Sequence, residues 1–463
     1  MEEKLYFYYT NDLHSHFESW PQVVTFLENE KRQRIDQNES FWLVDIGDHL
    51  DRVHPITEAT MGRANIELLN EAGYDLITLG NNEGITLPYQ NLYHLYDQAT
   101  FKIVCTNLKS LTEKNPHWLQ PTATIQSKQG IKIGIIGLTA PFNAFYHLLG
   151  WHVEYPYEAL DQQIEALNET TDVIVLLSHL GISEDRQIAE RYENIDVIIG
   201  GHTHHLLGRE EKVNQTIITA AGKNCTHVGE IILTWDHEQQ AMVKKEAYAI
   251  NITHLPKDEH TDQLLKKYEK EARDKLQQPV AQINTPLEVD WFDETELIQK
   301  LTHVLKKWTK TDVAMLNAGL LLESLEAGMV THQDIHRICP HPINPCVVEL
   351  YGDELLEIVR ASCTDAFMNF ELKGFGFRGK VIGKMVYDGI DVETDINHDG
   401  TPFIKNVTYC GEPLKSDRTY SIATADMFTF GRLIPEIAKA SQKTYFLPEF
   451  LRDLLKYTLR IYY

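Results

Sequence analysis

DVIIGGHTH, residues 196–204, is a short apolar run that stops at two glycines and then sets histidines at 202 and 204. Val197, Ile198 and Ile199 are β-branched and favour a strand, and a continuous apolar run bounded by glycine fits a strand covered on both faces. Working outward, the same grammar recurs. VIVLLSH (173–179) ends in His179, DLITLGNN (75–82) carries Asn81, FWLVDIGD (41–48) ends in Asp48, and LYFYYTNDLH (5–14) ends in Asp12 and His14, whereas KIGIIGLT (132–139) ends without a ligand. Helix-length segments separate the runs. Strand and helix therefore alternate in an α/β class, in which ligands gather beyond the carboxyl ends of the strands.

A buried strand has a physical reason not to end in Asp, His or Asn, because unpaired imidazoles and carboxylates in a closed interior cost on the order of several kcal/mol. A metal centre removes that cost. Taken singly, each residue has an ordinary explanation: Asp12 and His14 suit a capped turn, His179 a hydrogen-bonded core histidine, and Asn81 a turn after Gly80. Taken together, at the same end of successive strands, they point to one site. Two carboxylates, one amide oxygen and four imidazoles, with no thiolate, suit borderline first-row divalent ions such as Mn, Fe, Co, Ni or Zn. Two such ions about 3.5–4 Å apart need a bridge, and Asp48 is the best candidate because a carboxylate offers one oxygen to each. A pair of this kind generates hydroxide near neutral pH and clamps both oxygens of an in-line displacement at phosphorus.

Asp12-x-His14, Gly47-Asp48, Gly80-Asn81, His179 and Gly201-His202-Thr203-His204 resemble the five blocks of calcineurin-like metallophosphoesterases, in the order and spacing of the bacterial 5'-nucleotidase family. The resemblance spans nearly the whole chain. It implies an N-terminal α/β/β/α metallophosphoesterase sandwich plus a C-terminal α+β 5'-nucleotidase-type domain. It also implies two divalent metal ions, with Asp12, His14, Asp48 and His204 at one and Asp48, Asn81, His179 and His202 at the other. The activity implied is removal of phosphate from nucleotides by attack of a metal-bridging hydroxide, with cyclic-nucleotide phosphodiesterase or dinucleotide pyrophosphatase as the alternative within enzymes. From another class comes a catalytically weak, metal-holding protein that binds a phosphorylated ligand.

One departure bears on the chemistry. Where the family has a histidine thought to stabilise the transition state or protonate the leaving group, this chain has Asn82, in Gly80-Asn81-Asn82-Glu83. An amide can donate a hydrogen bond to a phosphoryl oxygen but holds no titratable proton near pH 7, so acid catalysis worth typically about 10²–10⁴-fold is lost or relocated. Three explanations stay open. Another histidine, among His16, His49, His54 and His205, fills the role; the substrate has a leaving group that needs little protonation; or ligands bind without turnover.

Length and texture divide the chain. The 463 residues suit two large domains, on a prior of about 100–200 residues each. The segment KDEHTDQLLKKYEKEARDKL, with Leu264, Tyr268, Ala272 and Leu276 at helical spacing, predicts a solvated linker helix over 256–280 between a metallophosphoesterase domain at 1–255 and a substrate-recognition domain at 281–463. Within the latter, DVAMLNAGLL, CVVELYGDELLEIVRAS, GKMVYDG, FIKNVTYCGEPL and TYSIATADMF predict strands with a helix starting near Asp353. The family resemblance adds substrate contacts near Asn317 and Gly319 and an aromatic clamp on the base, for which Phe375 or Phe377 and Phe428 or Phe430 are the candidates. Such stacking is typically worth about 1–3 kcal/mol per base. The family's arginine after Asn317-Ala318-Gly319 is replaced by Leu320 and Leu321, which leaves Arg337, Arg378 or Arg432 as possible phosphate anchors. Asp395-x-Asn397-x-Asp399-Gly400 copies the opening of a calcium loop, but Asn406 stands where the bidentate Glu is needed, so a hairpin turn is the better reading.

Composition narrows the partners. A net charge of −24 disfavours nucleic-acid polymers and anionic membranes, while leaving room for a small phosphorylated substrate drawn to the metals. No apolar run approaches the ~20 residues that span a bilayer. The first strand begins by Leu5 after acidic Glu2 and Glu3, and the six cysteines lack close paired spacing, so a cytoplasmic protein with reduced, mostly buried thiols is expected.

Overall fold

In the computed structural model, which describes residues 1–398, 402–431 and 433–463, the chain divides into two compact units, Met1–Ala272 and Arg273–Tyr463. The first is built on two sheets. One runs, in spatial order, Ala241–Asn251, His227–Asp236, Glu2–Thr10, Ser40–Asp45, Leu76–Ile77, Lys102–Val104, Leu119–Gln120; the other runs Glu211–Val213, Thr216–Thr219, Val197–Gly200, Val173–His179, Lys132–Thr139, Thr122–Gln126. The strands named from sequence pair in parallel at the centre of each sheet, so their carboxyl ends lie together along one edge.

Alternation within the apolar runs explains why both faces had to be hydrophobic. Ile133, Ile135, Val173, Val175, Leu177, Val197 and Ile199 share one core with Leu5, Phe7, Tyr9, Val44 and Leu76 of the opposing sheet. The intervening Ile136, Leu138, Ile174, Leu176 and Ile198 pack with Leu160 and Ile164 of helix Pro156–Thr170 and Ile188 of helix Ile182–Arg191. Each such side chain gains about 1.5–3 kcal/mol from burial, and a one-residue slip would exchange the two faces, so the register that fixes the strand ends is strongly held. This is the sandwich expected from the sequence.

Helix Glu259–Leu276 occupies the predicted linker. Its buried stripe is Leu265, Tyr268, Ala272 and Leu276, so Leu265 takes the place expected for the less buried Leu264. The Tyr268 hydroxyl donates to Glu67, tying the helix to the first unit rather than leaving it wholly solvated.

The second unit is α+β. Its five-stranded sheet runs Met385–Asp388, Val313–Asn317, Thr419–Ala425, Pro345–Tyr351, Lys443–Tyr445, with helices Glu296–Thr309, Gly352–Ser362 and Leu451–Tyr462 among those packed around it. Ile390–Ile396 and Pro402–Tyr409 pair antiparallel, the hairpin arms expected around the calcium-like motif; Asp399 and Gly400 of the turn itself, and Arg432, lie outside the described residues. All six cysteines are free: Cys105, Cys225, Cys339 and Cys346 are buried, Cys363 is partly buried and Cys410 exposed. Among the described residues no helix is long and apolar enough to cross a membrane.

Candidate metal centre

The candidate ligands arrive just beyond the parallel strands, most of them on turns and Asn81 as the first residue of helix Asn81–Thr86. Glu2–Thr10 leads to Asp12 and His14, Ser40–Asp45 to Asp48, Leu76–Ile77 to Asn81, and Val197–Gly200 to His202 and His204, while His179 is the last residue of its own strand. Asp12, His14, Asp48, His202 and His204 all have φ between 49° and 70°, a left-handed backbone that non-glycine residues seldom adopt. Strain of this kind persists where the surroundings over-determine it, and it bends each chain so that the side chain turns back over the strand ends. Two glycines make the close approach possible. A Cβ on Gly47 would lie 2.1 Å from Gly80 N, and one on Gly80 would lie 2.0 Å from Asp48 Oδ1.

Two sets of donors converge. Asp12, His14 and His204 form one and Asp12, Asp48 and His179 the other, each with ligand atoms within 4.8 Å of one another. Asp12 Oδ1 lies 3.7 Å from His14 Nε2, 3.5 Å from His204 Nε2 and 3.9 Å from His179 Nε2. Asp48 turns one oxygen to each side, Oδ2 at 3.7 Å from His14 Nε2 and Oδ1 at 3.4 Å from His179 Nε2. Both carboxylates thus stand between the histidines, where Asp48 alone was expected. His202 packs its ring on His179, with centroids 5.3 Å apart, and on Phe142 at 5.7 Å, and its backbone N–H donates to Asp12 at 3.1 Å.

These residues fit divalent ions. His179 donates from Nδ1 to the Ile46 carbonyl at 2.7 Å, which turns Nε2, fully buried and without a hydrogen-bond partner, toward the carboxylates as an acceptor for a cation once its proton leaves; the Asn81 carbonyl Oδ1 is also buried with no hydrogen-bond partner. Two orphaned acceptors beside two carboxylates are what a cation would satisfy. The electrostatics agree. Burial would lower His179 and His14, yet the neighbouring Asp48 raises His179 to about 9, and Asp12 and Asp51 raise His14 to about 10. Burial would raise Asp12, but His14 and His204 hold it well below the usual carboxylate range.

Glu83 and Asp45 form the support, and no role was assigned to either from sequence. Glu83 accepts from the N–H groups of Asp48 (3.0 Å), Leu50 (3.2 Å) and Gly80 (2.9 Å), locking two ligand loops together. Burial, and then the charge of Asp48, pushes its carboxyl up to about 7. Asp45 accepts from Thr10 Oγ1 and Gly47 N at 2.6 and 2.9 Å, and burial pushes it to about 8. The legible signal was a buried acid beside each glycine turn.

Asn82 spends its amide inside the protein. Nδ2 donates to the Leu50 carbonyl at 3.2 Å and lies 3.0 Å from His14 Nδ1, so one amide hydrogen is committed inside the protein and the side chain packs against His14, which sets Asn82 beside a ligand as its neighbour. Of the histidines offered as substitutes, His49 is buried against Trp20 and hydrogen-bonded to Asn65, His54 caps helix Pro55–Thr60, and His205 meets Thr203 Oγ1 at 2.9 Å. His16 is exposed.

The aromatic candidates of the second unit separate cleanly. Phe377 is 3% exposed and stacks on His341, and Phe428 is 1% exposed in the core, so both leave the list of base contacts. Phe375 is 48% exposed and stacks on Phe430 with centroids 5.9 Å apart and planes at 11°. Asn317 and Gly319, expected at substrate, are enclosed instead: Asn317 is fully buried and donates to the Ile382 carbonyl, and a Cβ on Gly319 would lie 2.1 Å from the Val381 carbonyl. Arg337 is held by Glu323 and Asp334, as a surface salt bridge, and Arg378 lies with its guanidinium at the Phe377 carbonyl.

Comparison with known proteins agrees with this geometry. The family model for calcineurin-like phosphoesterase matches residues 5–206, and that for the 5'-nucleotidase C-terminal domain matches residues 277–432. The uncharacterized metallophosphoesterase YunD of Bacillus subtilis (strain 168) is 43% identical over 460 residues, covering 99% of this chain and 100% of that protein. The chain belongs to the metallophosphoesterase family. It is thus a hydrolase of the calcineurin-like class with a 5'-nucleotidase C-terminal domain, a class that uses divalent metals. The trifunctional nucleotide phosphoesterase protein YfkN of the same organism is 26% identical over 404 residues, 75% of this metallophosphoesterase but 27% of that longer protein. Among solved structures, Haemophilus influenzae NAD nucleotidase shares the fold with a TM-score of 0.70 at 16% identity, over 99% of this chain and 96% of that one.

Proposed function

We propose that this metallophosphoesterase removes phosphate from small nucleotides, using two first-row divalent ions. Asp12, His14, Asp48 and His204 would hold one ion, and Asp48, Asn81, His179 and His202 the other. The observation that carries the reading is the convergence of Asp12, His14 and His204 with Asp48 and His179 at the strand ends. When bound, the ions supply Lewis-acid charge and a water activated near neutral pH. The chain's own residues do the positioning. The Ile46 carbonyl fixes the His179 tautomer, Glu83 holds the Asp48 and Gly80 loops in register, and Asn82 steadies His14. Phe375 and Phe430 offer the π faces for a nucleobase, as the nucleotide-acting relatives support by name. Nucleotide catabolism in a reducing, cytoplasmic setting accords with six free thiols.

A second reading rests on Asn82. Because Asn82 carries no titratable proton and commits an amide hydrogen to the Leu50 carbonyl, the leaving group receives no proton from this position, which favours phosphodiesters or pyrophosphates whose leaving groups need none. The test is phosphate release by the purified protein with added Mn²⁺ from a panel of nucleoside mono-, di- and cyclic phosphates, beside Asp48→Ala. Release that vanishes in the variant together with metal content supports the hydrolase and ranks its substrates. Silence across the panel with metal bound would refute turnover of these nucleotides and favour a phosphate-binding protein.

A further inference from the structure

The turn 222–225, GKNC, is stitched to both sides of the metal centre. Gly222 N donates to the His205 carbonyl at 2.9 Å, one residue past His204, and Asn224 N donates to the Asp12 carbonyl at 2.8 Å. Asn11 completes the seam: its Nδ2 donates to the Gly222 carbonyl and to Asp12 Oδ2, each at 2.7 Å, and its Oδ1 accepts from Ala221 N at 3.0 Å. Gly222, Asn224 and Cys225 have φ of 83°, 58° and 48°, so the turn is a tight left-handed one. Its backbone is therefore fixed against two ligand-bearing segments, and the residue between the two anchors is Lys223.

Lys223 is exposed and makes no side-chain hydrogen bond or ion pair with any described residue, in a chain with 67 acidic and 43 Lys and Arg side chains. Arg52, a buried cation on the Asp48 side, is by contrast bound to Glu58 and the Thr86 carbonyl. The backbone bonds on either side of it, from Gly222 N to the His205 carbonyl and from Asn224 N to the Asp12 carbonyl, set Lys223 between the segment that bears Asp12 and the one that bears His204.

We propose that Lys223 is a phosphate-contacting residue of this enzyme, binding a non-bridging oxygen of the substrate at the mouth of the metal centre and favouring dianionic phosphomonoester ends over monoanionic diesters. This rests on the hydrolase reading above. An ammonium on a flexible stem gives a point charge suited to phosphate without demanding a fixed fork.

The test compares p-nitrophenyl phosphate and bis-p-nitrophenyl phosphate, which share a leaving group and differ in charge, in wild type, Lys223→Met and Lys223→Arg with Mn²⁺. Lys223→Met should raise KM for the monoester about tenfold with kcat within about twofold, and leave the diester within about twofold. Lys223→Arg should recover most of the loss, and the rise of KM with salt should be shallower in Lys223→Met. Equal effects on the two esters, no effect on either, or the same loss in Lys223→Arg would overturn the assignment; metal content and Tm of each variant identify a misfolded one. If wild type cleaves neither ester, the nucleotide panel decides the hydrolase reading separately, and calorimetric binding of inorganic phosphate in Mn²⁺ buffer decides Lys223. About tenfold weaker binding in Lys223→Met upholds it, and equal binding overturns it.

Discussion

His341 in the second unit gives a pH prediction that can be worked from geometry. It is fully buried, donates from Nε2 to the Leu320 carbonyl at 2.8 Å, accepts at Nδ1 from the Arg378 N–H at 2.9 Å, and lies under the ring of Phe377. Both nitrogens are used in the neutral form. A second ring proton would point Nδ1–H at an N–H, and burial first, then the Arg378 and Arg452 guanidinium groups, push the ring down to about 3 from an ordinary 6.5. The unfolded chain takes up that proton below 6.5 and the folded chain does not, so stability is present above 6.5 and falls as pH drops toward 3. At about 1.4 kcal/mol per pH unit, this group alone removes about 2 kcal/mol between pH 8 and pH 5. His341→Gln keeps a donor for Leu320 but leaves the Arg378 N–H without its acceptor, costing about 1–3 kcal/mol at pH 8. The gap between wild type and variant should then narrow by about 2 kcal/mol at pH 5. Urea unfolding of the full chain at both pH values reads it, using hydrogen-exchange protection of the peptide holding Arg378 to identify the transition. Buried His49, also held near 3, titrates in both proteins and cancels. A gap of equal size at the two pH values would refute the neutral clamp.

Phe375→Ala should raise KM for nucleoside monophosphates by about tenfold and leave glycerol phosphate unchanged in steady-state kinetics, since stacking is worth about 1–3 kcal/mol per base; an equal change on both would remove the ring from base recognition. Gly80→Ala sets a methyl 2.0 Å from Asp48 Oδ1, so metal content by elemental analysis should fall together with Tm, and a variant with normal metal and Tm would show that the two loops are not in contact. Asn82→His should raise kcat on nucleoside monophosphates, toward the about 10²–10⁴-fold range of general-acid catalysis, and by less on bis-p-nitrophenyl phosphate; no gain on the monoesters would mean that no leaving-group acid is missing.

The sandwich was legible because its strands are buried on both faces, so Val173 to Leu177 and Ile133 to Leu138 had to be apolar without interruption, and a polar ligand-type residue after such a run stands out. The candidate site was legible for the same reason: parallel pairing carries His179, Asp48 and Asp12 to one edge whatever the loops do. What sequence could not supply is direction where the chain leaves the strand. Phe375 and Phe377 stand two apart, and in a strand they would share a face. Here Gly374, Phe375 and Gly376 have φ of 91°, 52° and 79°, and this left-handed turn sends Phe377 onto His341 while Phe375 goes outward to Phe430. The same holds at Asn82, whose type says that it can donate two hydrogens but not to whom; the position of the Leu50 carbonyl decides that, and it is set by Glu83 holding the Asp48 loop. Ligand identity is thus written in strand periodicity, whereas the catalytic question left by the missing histidine turns on backbone curvature. Lys223 stands on that boundary, because it carries no motif and acquires its place only when Asn11 and Asp12 capture the turn around it.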